Sequence, residues 1–298
     1  MKRVLVTGAN GYIGRYVVKA LLDLGAEVIA VDLSHDGIDP RAEIADYNIF
    51  EADEKAYESL GKPDVCIHLA WKDGFVHNAP SHMEDLPKHY HFIEQMVSGG
   101  LKHLAVMGSM HEVGYTVGAV TENTPANPRS MYGIAKNALR QSLDVLQQTQ
   151  KFTLQWLRGY YIYGDDKRNN SVFAKLLLKA EEGAATFPFT SGKNKYDFIE
   201  VHDLAFEIAI ASLQEEITGV INCCSGKPVS LKDKVEEFIA EKGLKIELEY
   251  GAFPERVYDS PEIYGDCTKI KAILQESMGN YGQDNDVRIR NLLEKLGG

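Results

Sequence analysis

RVLVTGANGYIG, from Arg3 to Gly14, runs a short apolar stretch straight into three glycines, Gly8, Gly11 and Gly14, ahead of the helical pattern RYVVKALLDLG. Each glycine has its own use in a strand-to-helix turn: one makes the tight bend, one lets backbone approach a bound group, and one lets the helix pack on the strand. The following helix aims its free N–H groups at that turn, so a pyrophosphate fits there. Glycines that merely serve a left-handed loop would leave the same trace. The next segment decides between the two readings.

That segment, EVIAVDL, ends in Asp32, 18 residues beyond Gly14. A carboxylate at this place accepts hydrogen bonds from an adenosine ribose diol and repels a 2′-phosphate. The expectation is therefore a dinucleotide site preferring NAD to NADP. Gly8, Gly11, Tyr12, Ile13 and Gly14 form its cradle, and Asp32 and Leu33 close it. Taken alone, Asp32 is equally a strand-end carboxylate.

Further apolar runs, PDVCIHLAW, HLAVMGS and TLQWLRGYYIYG, alternate with helical patterns. Strand and helix in alternation predict an α/β fold with a doubly wound (Rossmann) parallel sheet covered on both faces. A dinucleotide-binding domain is expected over residues 1–164, with segments from about 197–225 returning to it. The pattern loosens after Gly164, so residues 165–196 and 226–298 are expected to form a smaller C-terminal substrate lobe.

The chain has 298 residues, 44% hydrophobic and 25% charged, an ordinary globular composition with material for a sizeable core. No apolar run approaches the ~20 residues of a membrane span, and the N-terminus lacks a signal-peptide core, so no membrane partner and a cytoplasmic location are expected. A net charge of −11 opposes nucleic acid as a partner. It still permits a small phosphorylated ligand held by a helix N-terminus and one or two arginines. Cys66, Cys223, Cys224 and Cys267 lack metal or redox spacing and read as buried free thiols.

SMYGIAK, from Ser130 to Lys136, places a tyrosine four residues before a lysine. The spacing recurs at Tyr163 and Lys167, but there it falls in the turn-rich YGDDK and puts no two side chains on one face. Tyr132 instead follows the breaker and cap ANPRS and opens the helical run IAKNALRQSLDVLQQ. A lysine ammonium one turn from a phenol is expected to lower a pKa otherwise near ~10, bringing proton transfer within reach. Ser109 ends the strand HLAVMGS at the sheet's carboxyl edge, where its hydroxyl could hydrogen-bond an oxygen that becomes a carbonyl.

With TGANGYIG, Asp32, HLAW at His68 to Trp71, Ser109, YGIAK and YDFIEVHDLA at Tyr196 to Ala205 in place, the chain resembles the extended short-chain dehydrogenase/reductases, in the NAD-dependent epimerase/dehydratase branch that modifies nucleotide sugars. The resemblance implies Tyr132 as general acid/base, Lys136 as its electrostatic partner and ribose ligand, and Ser109 as donor to the substrate oxygen. It also implies Asn48 and Ile49 near adenine, Leu69, Ala70 and Trp71 along the coenzyme, and Tyr160 near nicotinamide. Substrate contacts are implied at Ser109, Met110, His111, Tyr132, Tyr161, Tyr196 and Arg256. Two helices, from about residue 86 to 99 and 132 to 150, match those that pair subunits in the family, so a homodimer is implied.

Departures from the family pattern narrow the chemistry. Dehydratases carry an Asp-Glu pair directly after the Ser or Thr; Met110 and His111 stand there, with Glu112 one place late. Tyr161 and Tyr196 replace the usual Asn and Arg of the diphosphate clamp, with Lys193 or Lys195 as possible substitutes. The expectation is an NAD-dependent 4-ketoreductase or 4-dehydrogenase of a nucleotide-linked 6-deoxyhexose. The alternatives are a 4-epimerase that retains its NAD, and a non-catalytic dinucleotide sensor, which the retained Tyr132 and Lys136 disfavour.

His77, His82, His89 and His91 match no metal frame, so no metal site is expected. They read as a substrate-side loop or a solvated helix start. Trp71 stands where relatives usually have a small residue, to wall the site or to fill core.

Overall fold

A computed structural model describes residues 1–255 and 259–297. Its strands are β1 (Arg3–Thr7), β2 (Glu27–Val31), β3 (Glu43–Ile44), β4 (Val65–His68), β5 (His103–Ser109), β6 (Gly118–Val120), β7 (Thr153–Gly159), β8 (Tyr161–Tyr163), β9 (Thr186–Pro188), β10 (Lys195–Glu200), β11 (Gly219–Cys223), β12 (Pro228–Ser230), β13 (Glu247–Glu249) and β14 (Glu262–Gly265). Its helices are α1 (Gly14–Asp23), α2 (Ala56–Ser59), α3 (Ser81–Gly99), α4 (Met131–Leu146), α5 (Val172–Glu181), α6 (Val201–Ser212), α7 (Leu231–Glu241), α8 (Thr268–Ser277) and α9 (Gln283–Lys295).

Seven strands line up as β11-β7-β5-β4-β1-β2-β3, with every neighbouring pair parallel. The strand order reverses between β1 and β4, and ligands of such sheets bind beyond the carboxyl ends at that reversal. Strand β1 shows why the run had to be apolar throughout. Val4 and Val6 pack into the layer of α1 and α6, whereas Leu5 packs into the layer of α3 and α4. A period of two with both faces covered leaves polar side chains only at the strand's ends, Arg3 and the hydrogen-bonded Thr7.

The second sheet runs β12-β10-β14-β6, with β8 also paired to β10. Phe173 of α5, Phe198 of β10 and Phe238 of α7 fill its core, and β9 and β13 form a separate pair beside it. Buried Asp197 ties this sheet to the end of β11: it accepts from the N–H groups of Ser225, Gly226 and Gly265 and from the Ser225 hydroxyl.

The segment boundaries differ from those expected. Strand β6 lies within residues 1–164 yet belongs to the second sheet, as does β10 of the returning segment; α6 and β11 are the parts that rejoin the main layer. Helices α8 and α9, expected in the lobe, bury Ile270, Ile273, Leu274, Ile289 and Leu292 in the same core as α1 and α6. Their apolar stripes match that face, and nothing local in their sequence names the surface they cover. Cys66, Cys223 and Cys224 are buried free thiols and Cys267 is half-buried. Among the described residues, no helix is long and apolar enough to cross a membrane.

Candidate active site

The glycine turn sits where β1 meets α1. Gly8 has φ 71°, and a Cβ there would lie 2.6 Å from the Ala70 nitrogen, so this glycine serves both the bend and the approach to the chain leaving β4. A Cβ at Gly14 would overlap the Gly8 carbonyl oxygen, which makes Gly14 the contact that closes the helix on the turn. Asp32 braces the loop: its carboxylate accepts from the Asn10 N–H at 2.8 Å and from the Leu33 N–H at 2.6 Å. Tyr12 and Ile13 are half-buried beside it, and Leu33 is exposed. Asn48 caps the turn Ile49–Glu51 by accepting from the Phe50 N–H at 3.1 Å, and Ile49 packs on the layer of α3. The Leu69 N–H donates to the Thr7 carbonyl at 3.1 Å, and the Ala70 N–H to the Thr7 hydroxyl at 3.4 Å.

A side-chain-free cradle at a helix N-terminus, followed by a carboxylate at the end of the next strand, offers neutral backbone donors to a diphosphate and an acceptor to ribose hydroxyls. These residues fit NAD.

Helix α4 carries the phenol. Its first turn is capped from three sides: Met131 N–H donates to Asn78 Oδ1 at 3.2 Å, Tyr132 N–H to the His77 carbonyl at 2.9 Å, and Gly133 N–H to Ser130 Oγ at 3.2 Å. These are the donors a helix start leaves without intrahelical partners. A Cβ at Gly133 would overlap the His111 carbonyl oxygen, so glycine there lets α4 press against the turn after β5. Ser109 lies beside the Tyr132 phenol, its hydroxyl accepting from the His111 N–H at 3.3 Å, and Lys136 Nζ lies 6.0 Å from the Tyr132 ring centroid. Ser109, Tyr132 and Lys136 thus meet at the carboxyl end of β5.

Electrostatics depart from the expected acidified phenol. Burial pushes Tyr132 up to about 12, opposed by the neighbouring Ser109 hydroxyl, and burial pushes Lys136 down to about 7, opposed by the Glu112 carboxylate. The lysine is 2% exposed and donates to the Met107 carbonyl at 2.8 Å, so neither member of the pair has the solvation that an exposed helix face would supply. Lys136 is buried and Tyr132 half-buried, and in both the charged form is disfavoured.

Glu112 is not a substrate-facing acid. Fully buried, it accepts from the Ser109 N–H and, at 2.9 Å, from the Trp156 indole N–H, and it lies 3.6 Å from Arg158. Met110 is also buried, within the lobe core. His111 stays at the site, with its ring centroid 5.9 Å from that of Tyr132 and 4.2 Å from that of His77. Tyr161 stacks on Tyr196, centroids 4.1 Å apart, forming an aromatic wall on the lobe side. Tyr160 is buried and donates to Asn222 Oδ1 at 3.3 Å. Lys193 and Lys195 are exposed, the latter paired with Glu262 at 3.2 Å. Arg256 lies outside the described residues. Tyr163 and Lys167 part company: Lys234 sits 4.0 Å over the Tyr163 ring, and Lys167 pairs with Glu181.

Two histidines that the sequence reads as part of a substrate-side loop or a solvated helix start lie elsewhere. His82 and His89 are buried on the inner face of α3, not on a solvated helix start. His89 Nδ1 shares a hydrogen bond of 2.9 Å with His68 Nε2, and His68 Nδ1 one of 2.8 Å with the Thr7 hydroxyl. Burial, with lesser contributions from His89 and Lys136 at His68 and from Lys136 and Lys88 at His89, holds His68 well below its usual range and His89 down to about 3. Trp71 stacks on His89 with centroids 4.5 Å apart. The spacing of His82 and His89, one heptad on a single helix face, was the available signal. Among the described residues, no group of three or more His, Cys, Asp or Glu is arranged to hold a metal ion.

The NAD dependent epimerase/dehydratase family model matches residues 4–224. The chain is 47% identical over 269 residues to dTDP-6-deoxy-L-talose 4-dehydrogenase (NAD(+)) of Aggregatibacter actinomycetemcomitans, covering 88% of this chain and 98% of that protein. Among solved structures, it resembles UDP-N-acetylglucosamine 4-epimerase from Methanobrevibacter ruminantium M1 with a TM-score of 0.79 at 20% identity, covering 99% of this chain and 97% of that one. It also resembles UDP-glucose 4-epimerase from Thermotoga maritima with a TM-score of 0.77 at 24% identity, covering 91% of each. The glycine cradle, the Asp32 brace and these likenesses agree: the chain belongs to the NAD dependent epimerase/dehydratase family, as an NAD-using enzyme of the short-chain dehydrogenase/reductase type.

Proposed function

We propose that this enzyme interconverts the C4 alcohol and C4 ketone of a dTDP-linked 6-deoxyhexose, with dTDP-6-deoxy-L-talose as the first substrate to test. The observation that carries the reaction type is the placement of Glu112. With that carboxylate sealed beneath Ser109 against Trp156 and Arg158, and with Met110 and His111 following the serine, no paired acids stand ready to expel water from the sugar. Exchange of one hydride and one proton at a secondary alcohol is the chemistry that remains. The dTDP handle and the 6-deoxy sugar rest on the name of the 47% identical relative.

NAD, when bound, supplies the acceptor or donor of hydride. In reduction Tyr132 gives its proton to the C4 oxygen and is left as phenolate; in oxidation the phenolate, its own proton having first passed to solvent, takes the proton of the C4 hydroxyl. Ser109, beside that phenol, steadies the same oxygen. Lys136 stabilises the phenolate that appears in passing, a task suited to a cation buried with it. Gly8, Gly11 and Gly14 hold the diphosphate of the coenzyme and Asp32 its adenosine ribose, while Asn48 and Ile49 flank adenine and Leu69, Ala70 and Trp71 border its path. Tyr160 is proposed on the nicotinamide side, and His111, Tyr161 and Tyr196 on the sugar-nucleotide side.

The test is turnover of dTDP-6-deoxy-L-talose with NAD, following NADH by absorbance and the product by NMR. One NADH per 4-keto sugar supports the dehydrogenase. Conversion to the C4 epimer without net NADH favours the epimerase instead, and inertness toward a panel of dTDP-, UDP- and GDP-linked 6-deoxy sugars overturns the substrate class. Tyr132→Phe should abolish turnover and leave NAD binding intact, whereas a sensor would keep its response. Pairing of two subunits through α3 and α4 belongs to the same proposal; those helices pack together and expose Met83, Ile134 and Val145. Sedimentation equilibrium decides it.

A further inference from the structure

Lys136 Nζ lies 3.8 Å from the centroid of the Trp71 ring, closer than it comes to the ring of Tyr132. In its ammonium form, which the coenzyme-free protein favours only below about pH 7, Lys136 has three N–H donors. One is taken by the Met107 carbonyl at 2.8 Å, and the indole face covers a second direction. What remains is the direction toward the site. We propose that Trp71 is a positioning residue that aims the free N–H of Lys136 into the active site by a cation–π contact. The inference rests on the reading of Ser109, Tyr132 and Lys136 as the reacting trio.

The indole is itself held on two sides. Its N–H donates to His82 Nδ1 at 3.1 Å, and His82 Nε2 in turn hydrogen-bonds the Val76 carbonyl at 3.0 Å. Its plane lies within 9° of the His89 ring. His89 is fixed through His68 to the Thr7 hydroxyl, at the end of the strand that leads into the glycine turn. A tryptophan needed only as filler would also seek a partner for its N–H, but it would not require an ammonium on its face. The two neutral histidines suit this use, because a protonated ring stacked on the same indole would compete with Lys136 for its π density. A small residue at position 71 would leave the ammonium a choice of directions; a flat, clamped ring removes it.

The test uses the full-length enzyme and three variants: Trp71→Leu, which removes the π face; Trp71→Phe, which keeps it and loses the indole N–H; and Lys136→Met. In protein labelled with 13C-lysine, the Lys136 signal, identified by its loss in Lys136→Met, should be shifted upfield by the indole ring current. That shift should persist in part in Trp71→Phe and vanish in Trp71→Leu. Turnover should fall roughly tenfold or more in Trp71→Leu with substrate KM within about twofold, and Trp71→Phe should recover most of it. Trp71→Leu should cost nothing further in a Lys136→Met background, since both act through one group. An unshifted lysine signal, a phenylalanine variant as poor as leucine, or additive losses in the double variant overturn the inference. Should Trp71→Leu fail to unfold cooperatively, Trp71→Met replaces it with the same expected results. Active Tyr132→Phe would sink the trio itself, whereas inactive Tyr132→Phe beside normal Trp71→Leu would sink the role of Trp71 alone.

Discussion

Ser109 donates its backbone N–H to the carboxylate of Glu112, three residues on and wholly buried. The carboxylate is anchored by the Trp156 indole and Arg158, and the Ser109 hydroxyl accepts from the His111 N–H at 3.3 Å, so Ser109 is set both by a buried polar cluster and by the turn it begins. Glu112→Ala would strand both donors in the interior and should destabilise the protein by about 3–5 kcal/mol. Glu112→Gln keeps the shape and an acceptor for Ser109, and should cost clearly less. Urea unfolding of the two variants checks the order.

Lys136 gives a pH signature in the coenzyme-free protein. Burial lowers it to about 7, well below the ~10.4 of a free lysine. Between those values the unfolded chain binds a proton that the folded chain does not, so stability rises with pH through that window, by at most ~1.4 kcal/mol per pH unit. Tyr132, raised to about 12, works the other way above ~10, where the unfolded phenol ionises first. Unfolding free energies of wild type minus Lys136→Met should therefore climb from neutral pH to about pH 10. A flat difference would mean that the lysine is charged in the folded state at neutral pH.

The glycines are separable by the space around them. Gly8→Ala meets a left-handed backbone and the Ala70 nitrogen together, and should lose measurable NAD affinity and several degrees of Tm. Gly25 has φ 83° but nothing within 4 Å, so Gly25→Ala should cost only the backbone penalty, about 1–2 kcal/mol, with NAD affinity unchanged. Calorimetric titration with NAD and thermal melts of both variants distinguish them.

Asp32 braces Asn10 and Leu33 and is proposed to meet the adenosine ribose, so Asp32→Ala should weaken NAD more than NADP and shrink the preference between them by roughly tenfold, the size of one lost charged hydrogen bond plus one relieved repulsion. Affinities for both coenzymes, measured at one ionic strength, give the ratio.

Much of this site is written locally. The glycine turn, Asp32 at the next strand end, and Ser130 capping the helix that carries Tyr132 and Lys136 all depend on residues a few positions apart, and the structure has the cap as the sequence predicts. The histidines of α3 were legible as residues and not as participants, because the face of α3 that meets the site is decided by Phe92, Ile93 and Met96 packing against the sheet. The placement of α8 and α9 against α1 and α6 was equally out of reach, since an apolar stripe names no partner.

The order of apolar and polar residues, by itself, determined a doubly wound sheet, its glycine-lined crevice, and a phenol and an amine on one helical turn. Short-range periodicity, caps and backbone sterics suffice for those. Only the tertiary structure decided that the amine lies dry against Met107 and Trp71, that Glu112 turns inward to Arg158, and that the phenol starts out less acidic than in water. Those outcomes depend on desolvation and on charges brought together from distant parts of the chain, and neither is encoded in any local spacing.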